Sequence, residues 1–168
     1  MLTTLKVIWN FVFFAVLIVV IVFSVLTSFS ERPDSKLPFR TFVVISGSME
    51  PTIMTGDLLF VRTNRGFGLD SIITFKDPSS HTVTHRIIKT EQQANGSLEF
   101  ITKGDNNEDP DQYTTPPKRV LGTYWFAIPK LGYLLVYIRS FMGITIILSL
   151  FAGWFVSDQV WQRLTKKA

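Results

Sequence analysis

From Val7 to Ser30, 24 successive residues carry no charged side chain, and Asn10 is the only amide among them. A helix rises ~1.5 Å per residue, so about 20 apolar residues cross a bilayer, and this run is read as a membrane span. It exceeds the ~7–15 apolar residues of a cleaved secretory leader, and no small-x-small site precedes Glu31, so it is expected to stay attached as an anchor. A second uncharged run of 18 residues, Ser140 to Ser157, is read as another span. Tyr133 to Ile138 extend it if Arg139 faces protein or snorkels.

Two spans leave a polar segment of about 110 residues between them and return both termini to one side. The expected organisation is an anchor over 1–30, a working domain over 31–139, and a second span with a basic tail over 140–168. Charge gives a mixed signal on orientation. Lys6 precedes the first span while Arg32, Lys36 and Arg40 follow it, yet Arg163, Lys166 and Lys167 in the tail favour a cytoplasmic C-terminus, and long loops cross regardless of charge. The expectation is a two-span protein of the cell membrane, with the domain extracytoplasmic and both termini cytoplasmic.

The net charge is +4. Its basic residues are interspersed with acidic ones or gathered at the membrane flanks, where anionic lipid headgroups are the natural counter-charge, so the lipid bilayer is the expected partner and nucleic acid is not. With no cysteine in the chain, disulfides and thiolate metal sites are excluded.

Between the spans, alternating or β-branched runs recur at Phe39 to Ile45, Asp57 to Arg62, Ser71 to Phe75, Thr82 to Thr90, Ser97 to Thr102 and Val120 to Ile128. Turn residues such as Thr55-Gly56-Asp57, Asp77-Pro78-Ser79-Ser80 and Asp109-Pro110-Asp111 separate them. The fold class is therefore mainly β, a small all-β domain flanked by N- and C-terminal transmembrane helices. Asn95-Gly96 marks a hairpin between the fourth and fifth runs. Glu31-Arg32-Pro33-Asp34-Ser35-Lys36 reads as a connector, and Tyr124, Trp125, Tyr133 and Tyr137 read either as an interfacial aromatic belt or as core residues.

Chemistry concentrates in three stretches. Ser46-Gly47-Ser48-Met49-Glu50-Pro51-Thr52 follows the strand-like Thr41 to Ile45 and is followed by Gly56-Asp57. A serine hydroxyl needs a neighbouring base to act as a nucleophile. Of the two histidines, His81 sits in a turn, whereas alternation places His85 on the face of Val83 and Ile87. The third stretch is Thr102-Lys103-Gly104-Asp105-Asn106-Asn107-Glu108-Asp109-Pro110-Asp111, which by itself also fits an acidic, Asx-rich loop.

The first stretch resembles the nucleophile region of type I signal peptidases. The pair His85-Arg86 resembles the base region of their endoplasmic-reticulum-type branch, also found in archaea and some Gram-positive bacteria, where histidine replaces the catalytic lysine. The third stretch resembles that family's Gly-Asp-Asn-Asn block. The resemblance implies a signal-peptidase-like catalytic domain with Ser48 as nucleophile, His85 as base, Asp111 as the carboxylate that orients it, and Asp105 supporting the same site. It further implies an oxyanion hole formed by the Ser48 backbone N–H and the Ser46 hydroxyl, no metal or organic cofactor, and the signal peptides of secretory precursors as substrate. Asp109 competes for the acid role, because Pro110 stands where the family often has an acidic neighbour. Lys89 and Lys76 are the rival bases. Two other readings remain open: a non-catalytic membrane-tethered β module that binds exported proteins, and a self-cleaving regulatory protease with a serine–lysine dyad.

Overall fold

The computed structural model describes residues 2–31, 35–63, 66–93 and 96–165. Arg32, Pro33 and Asp34 of the connector, Asn95 of the hairpin turn, and Lys166 and Lys167 of the tail lie outside these residues. The chain divides into two compact units, 1–132 and 133–168.

The first unit begins with helix α1, Leu2–Ser30, whose stretch from Lys6 to Ser30 has a mean hydropathy of 2.9 and is long enough to cross a membrane. Its apolar side chains point outward on every side, as Val7, Phe11 and Val19 illustrate. Such a surface has no favourable place in water, and a lipid environment accounts for it. The helix ends on hydroxyls. Ser30 Oγ donates to the Thr27 carbonyl at 2.8 Å and shares a 2.6 Å hydrogen bond with Thr41 Oγ1, all buried. Thr41 lies on the first strand, so α1 is stitched to the segment that leads into Ser48.

Among the described residues seven strands follow: β1 Phe39–Val43, β2 Leu58–Arg62, β3 Ile72–Lys76, β4 Thr82–Gln92, β5 Leu98–Lys103, β6 Thr114–Thr115 and β7 Val120–Ile128. They form one antiparallel sheet in the order β1-β2-β7-β3-β4-β5-β6. The six sequence runs correspond to β1–β5 and β7, with ends moved by a residue or two where hydrogen bonding starts or stops. The two-residue β6 carries too little pattern to be read from sequence. β4 and β5 pair antiparallel as the expected hairpin, and Gly96 between them has a positive φ of 79°.

Ile72, Ile73, Thr74 and Phe75 of β3 are all buried, as expected for a strand covered on both faces. Ile72 joins Met49, Ile53, Leu59 and Val61 in one apolar cluster, while Ile73 and Phe75 join Ile87 and Phe100 in another. Of the aromatic candidates on β7, Tyr124 packs against the first cluster and Trp125 points out, with the Arg62 guanidinium 4.1 Å above its ring. Alternation along β7 separates the two.

The second unit contains most of helix α2, Leu131–Arg139, and helix α3, Phe141–Thr165, which is long and apolar enough to cross a membrane. Tyr133 to Ile138 therefore do not lengthen the second span as one continuous helix. Ser140 breaks it: its side chain accepts a hydrogen bond from the Gly143 N–H at 3.1 Å, the contact of an N-cap, and so starts α3 afresh.

Candidate active site

Ser48 stands in the loop between β1 and β2, in a turn closed by the Glu50 N–H donating to the Gly47 carbonyl at 3.1 Å. Met49, next to it, is 3% exposed and fixed in the first apolar cluster, so the serine is held at the surface of the core by its neighbour's side chain. Glu50 braces the same loop from within by accepting from the Thr55 hydroxyl at 2.9 Å. The Gly56-Asp57 pair closes it. Gly56 has a φ of 89°, and the buried Asp57 carboxylate accepts from the N–H groups of Met54 and Lys130.

His85 projects from β4 on the face predicted by alternation and is 6% exposed. Its Nε2 lies 3.2 Å from Ser48 Oγ and its Nδ1 lies 2.8 Å from Asp111 Oδ2. A carboxylate only accepts, so Nδ1 carries the proton and Nε2 is left to accept from the Ser48 hydroxyl. Asp111 is positioned twice by Thr102 of β5, whose carbonyl accepts from the Asp111 N–H at 2.8 Å and whose hydroxyl donates to Oδ2 at 2.6 Å. The side chains of His85 and Asp111 are each 8% exposed, which removes competing water from their contact. The Phe75 ring stands edge-on to the imidazole at 6.5 Å and edge-on to the ring of Tyr113 at 6.4 Å. Burial, with Asp111 nearby, pushes the Tyr113 phenol up to about 12, so this wall is uncharged.

Arg86, one residue after His85, points to the opposite face of β4. Its Nε and Nη2 donate to the two oxygens of Asp105 at 2.9 and 2.7 Å, and Asp105 Oδ2 also accepts from the Thr52 hydroxyl at 2.6 Å. Those bonds from Arg86 outweigh partial burial and hold the Asp105 carboxyl below its ordinary value. Asp105 thus ties β4 to the serine loop and makes no hydrogen bond to His85. Gly104 lets this loop come close, because a Cβ there would lie 2.5 Å from the Ser48 carbonyl oxygen. Asn106 uses the approach: its N–H donates to the Ser48 carbonyl at 2.8 Å and its Nδ2 to the Gly47 carbonyl at 3.1 Å.

The structure brings Ser48, His85 and Asp111 into one connected line and sets Asp105 beside it on Arg86. Ser46 is exposed two residues before Ser48. Asp109 is exposed, with no hydrogen-bond partner among the described residues. Lys89 extends to Glu91 on the surface, Lys76 bonds to Ser80 and Thr82, and His81 pairs with Asp77 in its turn. Sequence reasoning missed Thr52, Thr102 and Asn106 as site residues. The available signal was position: Thr52 ends the serine stretch, and Thr102 and Asn106 belong to the stretch that holds Gly-Asp-Asn-Asn.

Such a line can transfer a proton from a hydroxyl to an imidazole while a buried carboxylate steadies the cation that forms, which is the requirement for acyl transfer through a serine. Scanned against models of known protein families, the chain matches none. Among curated proteins it is 35% identical over 108 residues to the signal peptidase complex catalytic subunit SEC11 of Eremothecium gossypii, covering 58% of this chain and 65% of that protein. Against the signal peptidase complex catalytic subunit SEC11C of Homo sapiens it is 44% identical over 73 residues, which is 42% of this chain and 38% of the human protein. The match to the signal peptidase complex catalytic subunit SEC11 of Zygosaccharomyces rouxii is 31% identical over 127 residues, spanning 64% of this chain and 76% of the relative. With that coverage, and with a His85-Arg86 pair that resembles the endoplasmic-reticulum-type branch of the type I signal peptidases, the chain belongs to the signal peptidase complex catalytic subunit family.

Proposed function

We propose that this chain is a membrane-anchored serine endopeptidase that removes signal peptides from secretory precursors. The observation that carries the reading is the unbroken line from the Ser48 hydroxyl through the His85 imidazole to the Asp111 carboxylate. In this mechanism Ser48 Oγ attacks the scissile carbonyl while His85 Nε2 takes its proton. The tetrahedral intermediate collapses as the imidazolium returns that proton to the leaving amine, leaving an ester on Ser48. Water, deprotonated by the same imidazole, then hydrolyses the ester and frees the enzyme. Asp111 holds the tautomer and balances the positive charge on His85. Negative charge on the carbonyl oxygen is met by the Ser48 N–H and the Ser46 hydroxyl, and losing one such donor in serine proteases costs ~10²–10³ in rate. Asp105 serves this site as a positioning residue through Arg86 and Thr52.

The two apolar helices support a membrane location, and we place the sheet domain on the extracytoplasmic side with both termini cytoplasmic. Holding enzyme and precursor in one bilayer raises their effective concentration and sets the height of the cut. An extended precursor, cleaved after small residues at the last and third-last positions, pairs with exposed sheet backbone near Ser48. The relatives are named as subunits of a complex, and accessory subunits are proposed as further partners here.

In a processing assay with the full chain in membranes, Ser48→Ala abolishes precursor cleavage while the protein still accumulates. Normal cleavage by that variant overturns the reading. Because the chain has no cysteine, a single cysteine placed at the exposed Gln92 reports the topology. It reacts with an impermeant thiol reagent in intact cells if the domain is outside, and only after lysis if it is inside.

A further inference from the structure

The Gly47 carbonyl oxygen receives two donors, the Glu50 N–H at 3.1 Å and the Asn106 side-chain amide at 3.1 Å. The Asn106 backbone N–H meanwhile donates to the next carbonyl, that of Ser48, at 2.8 Å. One residue thus grips two successive peptide groups around the nucleophile. In a planar trans peptide the C=O and N–H point in opposite directions. The Gly47 carbonyl belongs to the same peptide group as the Ser48 N–H. Fixing that carbonyl toward Asn106 therefore aims the Ser48 N–H the other way, and no acceptor for it exists among the described residues.

We infer that Asn106 is a positioning residue for the oxyanion: its side-chain amide sets the peptide plane that presents the Ser48 N–H to the reacting carbonyl. The inference rests on the reading of Ser48 as the nucleophile. Its cause is local. A peptide group held on one side by a turn bond alone can tilt, and donor strength falls steeply as the donor angle departs from linear. A second donor to the same carbonyl restrains the tilt before the substrate arrives, so no reorganisation is needed as charge develops. Gly104 makes the grip possible, since any Cβ would drive the loop off the Ser48 carbonyl.

Asn106 is exposed, so replacing it leaves the core intact. Asn106→Asp keeps the shape but turns the donor into an acceptor facing the Gly47 carbonyl. Asn106→Ala removes the donor without repulsion. Initial rates are measured on a signal-peptide-bearing precursor with the full chain in proteoliposomes, alongside melting temperature and with Ser48→Ala as reference. The expected result is a kcat lowered roughly 10–100-fold for Asn106→Ala and further for Asn106→Asp, with KM little changed and melting within a few degrees of the parent. Losses that appear in KM, or that scale with a falling melting temperature, assign Asn106 a merely structural part and overturn the inference. If Ser48→Ala is inactive while Asn106→Asp keeps the parent kcat, the inference alone fails. If Ser48→Ala remains active, the nucleophile reading beneath it fails as well.

Discussion

Asp105 and Asp111 sit six residues apart on one loop, and each accepts a threonine hydroxyl and a basic side chain from β4. The basic partners are sequence neighbours, Arg86 and His85, sent to opposite faces by the alternation of the strand. Asp105 meets a cation that never titrates, so its bond is a fixed tie between β4, the Gly104 loop and the serine loop. Asp111 meets an imidazole that, in the proposed mechanism, gains and loses a proton, so there its bond is part of a cycle. On the proposed function, the same local chemistry is a tie at one end of the loop and a working part at the other, and the difference lies in the partner.

The largest effect that would sharpen this contrast is expected from Asp111→Asn. The amide no longer enforces the Nδ1–H tautomer, and kcat should fall by about 10⁴ while the melting temperature stays near that of the parent. A loss of less than tenfold would remove Asp111 from the proton cycle. Asp105→Asn should do the reverse. Losing the two-point pair with Arg86 should cost about 1–3 kcal/mol in denaturant unfolding, with a smaller effect on kcat than Asp111→Asn.

The acid dependence of that stability follows from the depressed Asp105 carboxyl. Its ionised form is favoured by folding, so its contribution is present above the unperturbed value of 3.8 and disappears as pH falls through the lower folded value. The difference in unfolding free energy between the parent and Asp105→Asn should therefore shrink when both are compared near neutrality and then well below pH 3.8. A gap that is constant with pH would mean that the pair does not act through its charge. The smallest effect belongs to Lys89→Ala, where the exposed partner is Glu91. Stability should change by no more than about 0.5 kcal/mol and cleavage should be unaffected. Lost cleavage there would bring back a lysine base.

Much of this was legible in the sequence, for reasons that differ by region. The two helices long and apolar enough to span were readable because lipid requires an uninterrupted apolar run, which leaves a signal that no tertiary contact can hide. β1–β5 and β7 were readable from alternation and turn residues, whereas β6 exists only because β5 offers Phe100 and Ile101 as partners to Thr115 and Thr114. The helix break at Ser140 left no mark in the sequence, because apolar composition is the same on both sides of the cap. Tyr124 and Trp125 stayed ambiguous because aromatic residues suit both a core and an interface.

The sequence by itself determined which residue types were present for the chemistry and on which face of β4 His85 would stand. Period-2 geometry is a property of the backbone and needs no fold to express it. The resemblance already preferred Asp111 among the aspartates, but only the tertiary structure put its carboxylate 2.8 Å from His85 and Asp105 on Arg86, and it alone gave Asn106 its grip on the serine turn. Those assignments depend on distances between segments tens of residues apart. They arise where Gly104 permits close approach and where the strand order brings β4 and β5 beside the serine loop, and a linear pattern does not encode such meetings.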